Sequence, residues 1–387
     1  MLKHQILAPL CFGLLLTCIT HCVDAARVNL VPVPDGGIQP RAVVDGNGGV
    51  HLVFLKGPER ESDVYYVKRA GGSREFGRPI RVNSQRGSAV AMGTIRGPQI
   101  ALGSNARVHV VWNGGPNAQP RTGAHSGPML YSRLDDGGGG FEPQRNLMTK
   151  TVGLDGGGTV TADGKGNVYV MWHGAEAGVT KGEGARAVYL AGSQDGGKTF
   201  AAERRINPKP TGACGCCGMD AFGDSHGNIW ALYRTAEMGL NRNMTLLVSR
   251  DAGRTFADQV VSRLRSGKCP MSSSSFRDLD GKVLAAWETE GSVQFGVFGN
   301  SGAAIGAFQN PAKGVKGKHP VAVGNRNGET LLVWVEGSGW KRAGTLAWQI
   351  FNKSGTPAGP VRRGSRLPVW SRADVIVEPN GDFTILH

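Results

Sequence analysis

Short apolar runs separated by polar, glycine-bearing turns recur along nearly the whole chain. The first copy is Ala42-Val43-Val44, the turn Asp45-Gly46-Asn47-Gly48, and a second run over residues 50–54. Equivalent pairs turn at Ser104-Asn105, Asp163-Gly164, Asp224 to Gly227, Asp278 to Gly281, Asn325 to Gly328 and Asn380-Gly381. Asp-Gly and Asn-Gly supply the positive φ angles of tight turns, so each copy predicts a β-hairpin. The second runs end at Phe54, Trp112, Trp172, Tyr233, Trp287, Trp334 and Leu386. Their spacing of about 50 to 60 residues exceeds the roughly 40 to 50 of common propeller blades. A second hairpin fits each interval, as residues 64–68 and 79–82 do in the first. Two hairpins make a four-stranded blade, so the pattern predicts an all-β propeller of six to seven four-stranded blades. The last unit holds only its first hairpin before the chain stops at His387. The segment Arg27-Val28-Asn29-Leu30-Val31 reads as an outer strand and is expected to complete that blade. Closure by N- and C-terminal strands removes an exposed sheet edge.

Composition agrees with one closed repeat. The 387 residues include 60 Gly and 20 Pro, and 40% are hydrophobic. Residues 1–25 carry Lys3, an apolar run over 6–19 and the small-residue site Val23-Asp24-Ala25, which predicts a secretory signal peptide. Residues 26–387 are then expected to form a single domain, secreted or periplasmic. No other segment is apolar enough to cross a bilayer. The formal net charge of +14 favours a glycan or other anionic ligand. No dense Lys/Arg run marks specific nucleic-acid binding, and nothing in the pattern calls for more than a monomer.

Cys11, Cys18 and Cys22 fall in the leader, leaving Cys214, Cys216, Cys217 and Cys269. An even number in an exported chain predicts disulfides and no cofactor. Vicinal pairing of Cys216 with Cys217 is strained, so Cys214 or Cys216 is the natural partner of Cys269. A second reading stays open, in which the four thiolates bind copper or zinc. The C-x-C-C spacing is not that of a zinc finger.

Two segments are near-duplicates. Ser193, Asp195, Gly197, Thr199 and Phe200 fit S-x-D-x-G-x-T-F, as do Ser249, Asp251, Gly253, Thr255 and Phe256. Asp136, Gly138 and Phe141 form a degenerate copy. An Asp side chain that accepts backbone N–H bonds and a Gly that permits the left-handed bend make a compact turn. The pattern resembles the Asp box (bacterial neuraminidase repeat) of sialidase-like propellers. The resemblance implies that these turns join the outer strands of a blade, on the face away from the active site.

Strand polarity places candidates at the opposite face, where inner strands start and second strands end. There fall Asn113, His173, Arg234 and Glu288, with Met219, Asp220, Met271 and His319. Family members use an arginine triad for the substrate carboxylate, a tyrosine nucleophile with a glutamate, and an aspartate acid/base. The resemblance implies Glu288, Asp220 and Tyr233 as catalytic candidates and Arg234, Arg96 and His173 as substrate-binding ones. The family's R-I-P motif corresponds here to Ile38-Gln39-Pro40-Arg41-Ala42, with the arginine after the proline. Two functions follow: a glycoside hydrolase acting on an acidic or complex glycan, or a non-catalytic glycan- or protein-binding propeller. No P-loop, dinucleotide fingerprint or metalloprotease helix occurs in the sequence.

Overall fold

The computed structural model describes residues 26–121, 127–178, 182–311 and 315–387; the expected signal peptide, with Cys11, Cys18 and Cys22, lies outside them. Among the described residues the strands form seven sheets arranged as propeller blades. Blade one comprises Ile38–Val44, Val50–Lys56, Asp63–Arg69 and Ile80–Arg81, paired antiparallel in that order. Blades two to six start at Gln99–Leu102, Thr159–Ala162, Asp220–Gly223, Ser275–Leu279 and Lys318–Gly324. Blade three carries an extra short strand, Thr151–Val152, beside the end of its second strand.

The closing blade has three strands among the described residues. Asp374–Val377 pairs with Phe383–Leu386, which pairs with the N-terminal Val28–Val31. The N-terminal strand does close the ring, but in the third position and parallel to its neighbour. Phe383–Leu386 ends at the face where inner strands begin. A parallel strand therefore delivers the chain at Val31 to that same face, where Ile38 starts blade one. An antiparallel strand would leave it at the wrong end.

The second strands are buried almost throughout. Residues 50–55, 108–113 and 330–335 are buried without a break. A strand in the middle of a blade is covered on both faces by neighbouring blades, so it needs a continuous apolar run. The core is accordingly a set of seams. One joins Val53, Leu55 and Tyr66 of blade one to Ile100, Val110 and Trp112 of blade two. Trp112, Trp172, Trp230, Trp287 and Trp334 are fully buried in such seams. Several outermost strands are short or arginine-bearing, as Arg204–Arg205 and Arg362–Arg366 are. Charged edges discourage pairing with other chains.

The two S-x-D-x-G-x-T-F segments form the same turn. Asp195 accepts the Thr199 N–H at 2.9 Å and its hydroxyl at 2.6 Å, while the Gly197 N–H donates to Ser193 Oγ at 2.9 Å. Asp251, Thr255, Gly253 and Ser249 repeat these bonds. These hydrogen bonds hold both aspartates well below the usual carboxylate range. Phe200 packs edge-on against Tyr131 of blade two, 4.8 Å between centroids. The degenerate copy departs from expectation. Asp135, not Asp136, accepts the Gly139 N–H at 3.1 Å, and Asp136 is exposed and pairs with Arg107.

Candidate functional site

A channel of about 420 Å³ runs down the propeller axis, lined by all seven inner strands from Arg41 to Val377. Its mouth is crossed by a buried lattice of charge. Arg41 of blade one reaches Asp220 of blade four, 2.6 Å away. Asp220 also accepts the Phe276 N–H at 2.9 Å and the Thr159 hydroxyl at 3.3 Å. Arg277 pairs with Asp374, whose other oxygen accepts the Ala42 N–H at 2.7 Å. These bonds tie blades one, three, four, five and seven. A third arginine, Arg372, is 4% exposed, and its Nε has no hydrogen-bond partner. It forms no ion pair among the described residues. Burial, then the charge of Arg41, lowers it to about 10.

Above the lattice a loop covers the mouth. The Arg96 guanidinium donates to Met92 O at 2.6 Å and pairs with Asp155 of the blade-three loop. Ile95 packs where a side chain at Gly156 would sit: a Cβ there would meet Ile95 Cδ1 at 1.9 Å. Gln39 holds the loop from below, donating to Ala91 O at 2.8 Å. Four non-glycine residues around the mouth have left-handed backbones: Gln39 (φ 54°), Met271 (49°), His319 (55°) and Trp370 (61°). Each costs on the order of 1 kcal/mol, and such strain concentrates at functional sites.

Two depressions flank the loop and share Arg96. One, of about 410 Å³, is lined by Arg60, Arg96, Arg121, Asn113 and Leu154, with Asp155 the one carboxylate among the described residues of its lining. The other, of about 40 Å³, is lined by Arg96, Lys318, His319, Trp340, Trp370 and Cys216. The two indoles lie 6.2 Å apart, and Trp340 is 51% exposed.

The four cysteines meet beside this mouth, at the starts of blades four and five. Cys216 and Cys269 form a disulfide, while Cys214 and Cys217 are buried free thiols. Cys214 Sγ lies 3.2 Å from Cys217 Sγ and 3.6 Å from each sulfur of the disulfide. Arg242 Nη1 sits 3.1 Å from Cys214 Sγ and Nη2 pairs with Glu183 at 2.8 Å. Burial opposes ionisation of Cys217. Its hydrogen bond with Cys214 and the charge of Arg234 outweigh that and bring it down to about 7. Cys214 is pushed up, first by that same bond and then by burial.

The remaining sequence candidates are placed as follows. Asp220 is the hub of the lattice just described. Glu288 is buried, paired with Arg234 at 3.3 Å and accepting the Gly291 N–H. The Tyr233 hydroxyl is 2.7 Å from Thr211 Oγ1, in the seam between blades three and four, and burial raises its pKa. Tyr233 and Glu288 thus have separate partners and do not form a nucleophile pair. Arg234 is buried, with Nη1 donating to Arg242 O at 3.0 Å. His173 is buried over Cys217 O at 3.4 Å, and burial lowers it to about 4. Arg96 alone of the three binding candidates lines an open depression. Arg372 was among the arginines expected near the rim; Trp340, Trp370 and Arg60 were missed because each stands in a loop with no periodic signal. The glycines at 156 and 218, against which Ile95 packs, were the available hint of the loop over the mouth.

No family model matches the chain, and no curated protein matches it in sequence. Solved structures share the fold. A protein of unknown function from Dyadobacter fermentans superposes with TM-score 0.51 at 16% identity, over 85% of this chain and 93% of that one. A Hadza microbial sialidase gives 0.51 at 13% identity, over 82% and 69%. The sialidase of Trypanosoma rangeli, solved with sialic acid, gives 0.51 at 13% identity over 93% of this chain; the match spans 59% of its own length. The fold is therefore that of the sialidase-like propellers.

Proposed function

We propose that this is an exported glycan-binding propeller that holds an anionic glycan on its mouth face. The observation that carries the reading is the cleft of about 410 Å³ lined by Arg60, Arg96 and Arg121 with one carboxylate, Asp155. Guanidinium forks match carboxylate and sulfate groups bidentately; Arg60 forms no ion pair among the described residues, and an anion would compete with Asp155 for Arg96. The second depression, on the other side of Arg96, presents Trp340 and Trp370, and an exposed indole such as Trp340 covers the apolar face of a sugar ring. The net charge of +14 draws anions toward it. The likeness to a sialidase solved with an acidic sugar supports the ligand class. The leader-like residues 1–25 support export.

Binding without turnover follows from the state of the rim carboxylates. A general acid must give up a proton at the scissile oxygen. Asp220 is bound to Arg41, and Glu288 to Arg234. In this reading both are scaffold.

The test is calorimetric titration with sialylated, uronate-bearing and sulfated oligosaccharides against neutral controls. Acidic glycans should bind with salt-sensitive affinity. Arg96→Ala and Trp340→Ala should each weaken binding by about tenfold, or about 1.4 kcal/mol. Indifference to all acidic glycans, or affinity unchanged in both variants, rejects the proposal. Turnover abolished by Glu288→Gln would replace binding with hydrolysis.

A further inference from the structure

The four cysteines pack together around Ala236, and the thiols of Cys214 and Cys217 have no part in the glycan reading. The backbone holds its two loops together without any help from sulfur chemistry. Cys214 N–H donates to Arg234 O at 2.9 Å, and Gly218 N–H to Ser272 O at 2.9 Å. The four sulfurs all lie within 4.8 Å of one another, and the non-bonded separations from Cys214 are 3.2 to 3.6 Å. Four thiolates around one cation at a metal–sulfur distance of about 2.3 Å stand about 3.8 Å apart. The loops therefore already hold three of the sulfurs close to that spacing around Cys214. Three cations stand near the sulfurs, against the two carboxylates Glu183 and Glu288 that pair with Arg242 and Arg234. Arg242 contacts Cys214, and Arg234 and Lys318 lie within electrostatic reach of Cys217. A buried tetrathiolate centre carries net negative charge and needs such neighbours.

The geometry points to a redox-gated site for one thiophilic d10 cation, zinc(II) or copper(I), on Cys214, Cys216, Cys217 and Cys269. In the oxidised form Cys216–Cys269 is a disulfide staple between blades four and five. A dithiol reductant opens it. The S–S bond breaks, the two sulfurs gain two electrons and two protons, and the dithiol closes to its own disulfide. Cation binding then forms four metal–sulfur bonds and releases the four thiol protons. The site borders the small depression through Cys216, so the two proposals are told apart by readout: metal uptake and cysteine protection for this one, glycan affinity for the other.

The experiment uses the purified chain without its leader, reduced with dithiothreitol under argon and freed of reductant. Cobalt(II) serves as the coloured stand-in for zinc(II), and copper(I) is delivered from a chromophoric chelator. One equivalent of cobalt should bind with the visible bands of tetrahedral thiolate coordination. Competition by zinc(II) and by copper(I) shows which cation the site prefers. Alkylation mapped by mass spectrometry should find all four cysteines protected by metal, a readout that needs no variant. Cys214→Ser should weaken uptake by at least about tenfold. Uptake of less than one equivalent, alkylation unaffected by metal, or equal uptake by the oxidised protein would overturn the proposal.

Discussion

The two faces of this propeller are built by different means. At the face of tight turns, each turn satisfies itself. Asp195 and Asp251 bond residues four positions ahead, and Asp45 accepts the Asn47 and Gly49 N–H groups at 2.9 and 2.7 Å. At the mouth the partners are far apart in sequence. Arg41 and Asp220 are separated by 179 residues, Arg277 and Asp374 by 97. The mouth also collects strained backbones, free thiols and an arginine, Arg372, that has no ion pair among the described residues. Removing one turn should unsettle a single hairpin, whereas removing a lattice member exposes a charge shared by several blades.

The largest expected effect is therefore at the lattice. Asp220→Ala leaves Arg41 buried without its partner and should cost about 3–5 kcal/mol. Denaturant unfolding measures this, and a loss below about 1 kcal/mol would erase the contrast between the faces.

A smaller effect is expected at Glu203, which joins the connector after blade two to blade three. It accepts the N–H groups of Thr149, Lys150 and Thr151 at 2.8 to 2.9 Å. Burial alone would raise its pKa, but these bonds and that from the Thr149 hydroxyl bring it down to about 2. Because the folded value lies below the unfolded one of about 4.3, the stabilisation is complete above about pH 5 and is lost as pH falls toward 2. Glu203→Gln should lower stability at pH 7 by roughly 1–3 kcal/mol and flatten the melting temperature between pH 4 and 2. A pH profile parallel to that of the wild type would assign the acid sensitivity elsewhere.

The smallest effect should come from a single turn. Asp195→Ala removes the bonds to Thr199 at an exposed position and should cost about 1 kcal/mol, as loss of a helix cap does. Glycan affinity and thiol count should not change. A change in either would mean that the faces communicate through blade three.

The architecture was legible in the sequence because its signals are short-range. Asp163-Gly164 and Asn325 to Gly328 mark hairpins wherever they stand, and the apolar endpoints from Phe54 to Leu386 gave the repeat. Even so, the parallel placement of Val28–Val31 was not visible, since it depends on where the closing blade leaves the chain. The site was less legible. Strand polarity placed Asp220, Glu288, Arg234 and His173 at the face where inner strands start, but could not tell a buried ion pair from an open carboxylate. Tyr233 was counted with the site although its neighbours in the seam claim its hydroxyl.

What the sequence by itself determined is the repeat, the turns and the apolar seams between blades, because each follows from residues within a few positions of one another. Only the tertiary structure decided that Arg41 meets Asp220, that Cys216 takes Cys269 while Cys214 and Cys217 stay free, and that Ile95 closes over Gly156. Those contacts form across a closed ring. There, the partner of a buried charge or thiol is set by which blades face each other, and no local pattern records it.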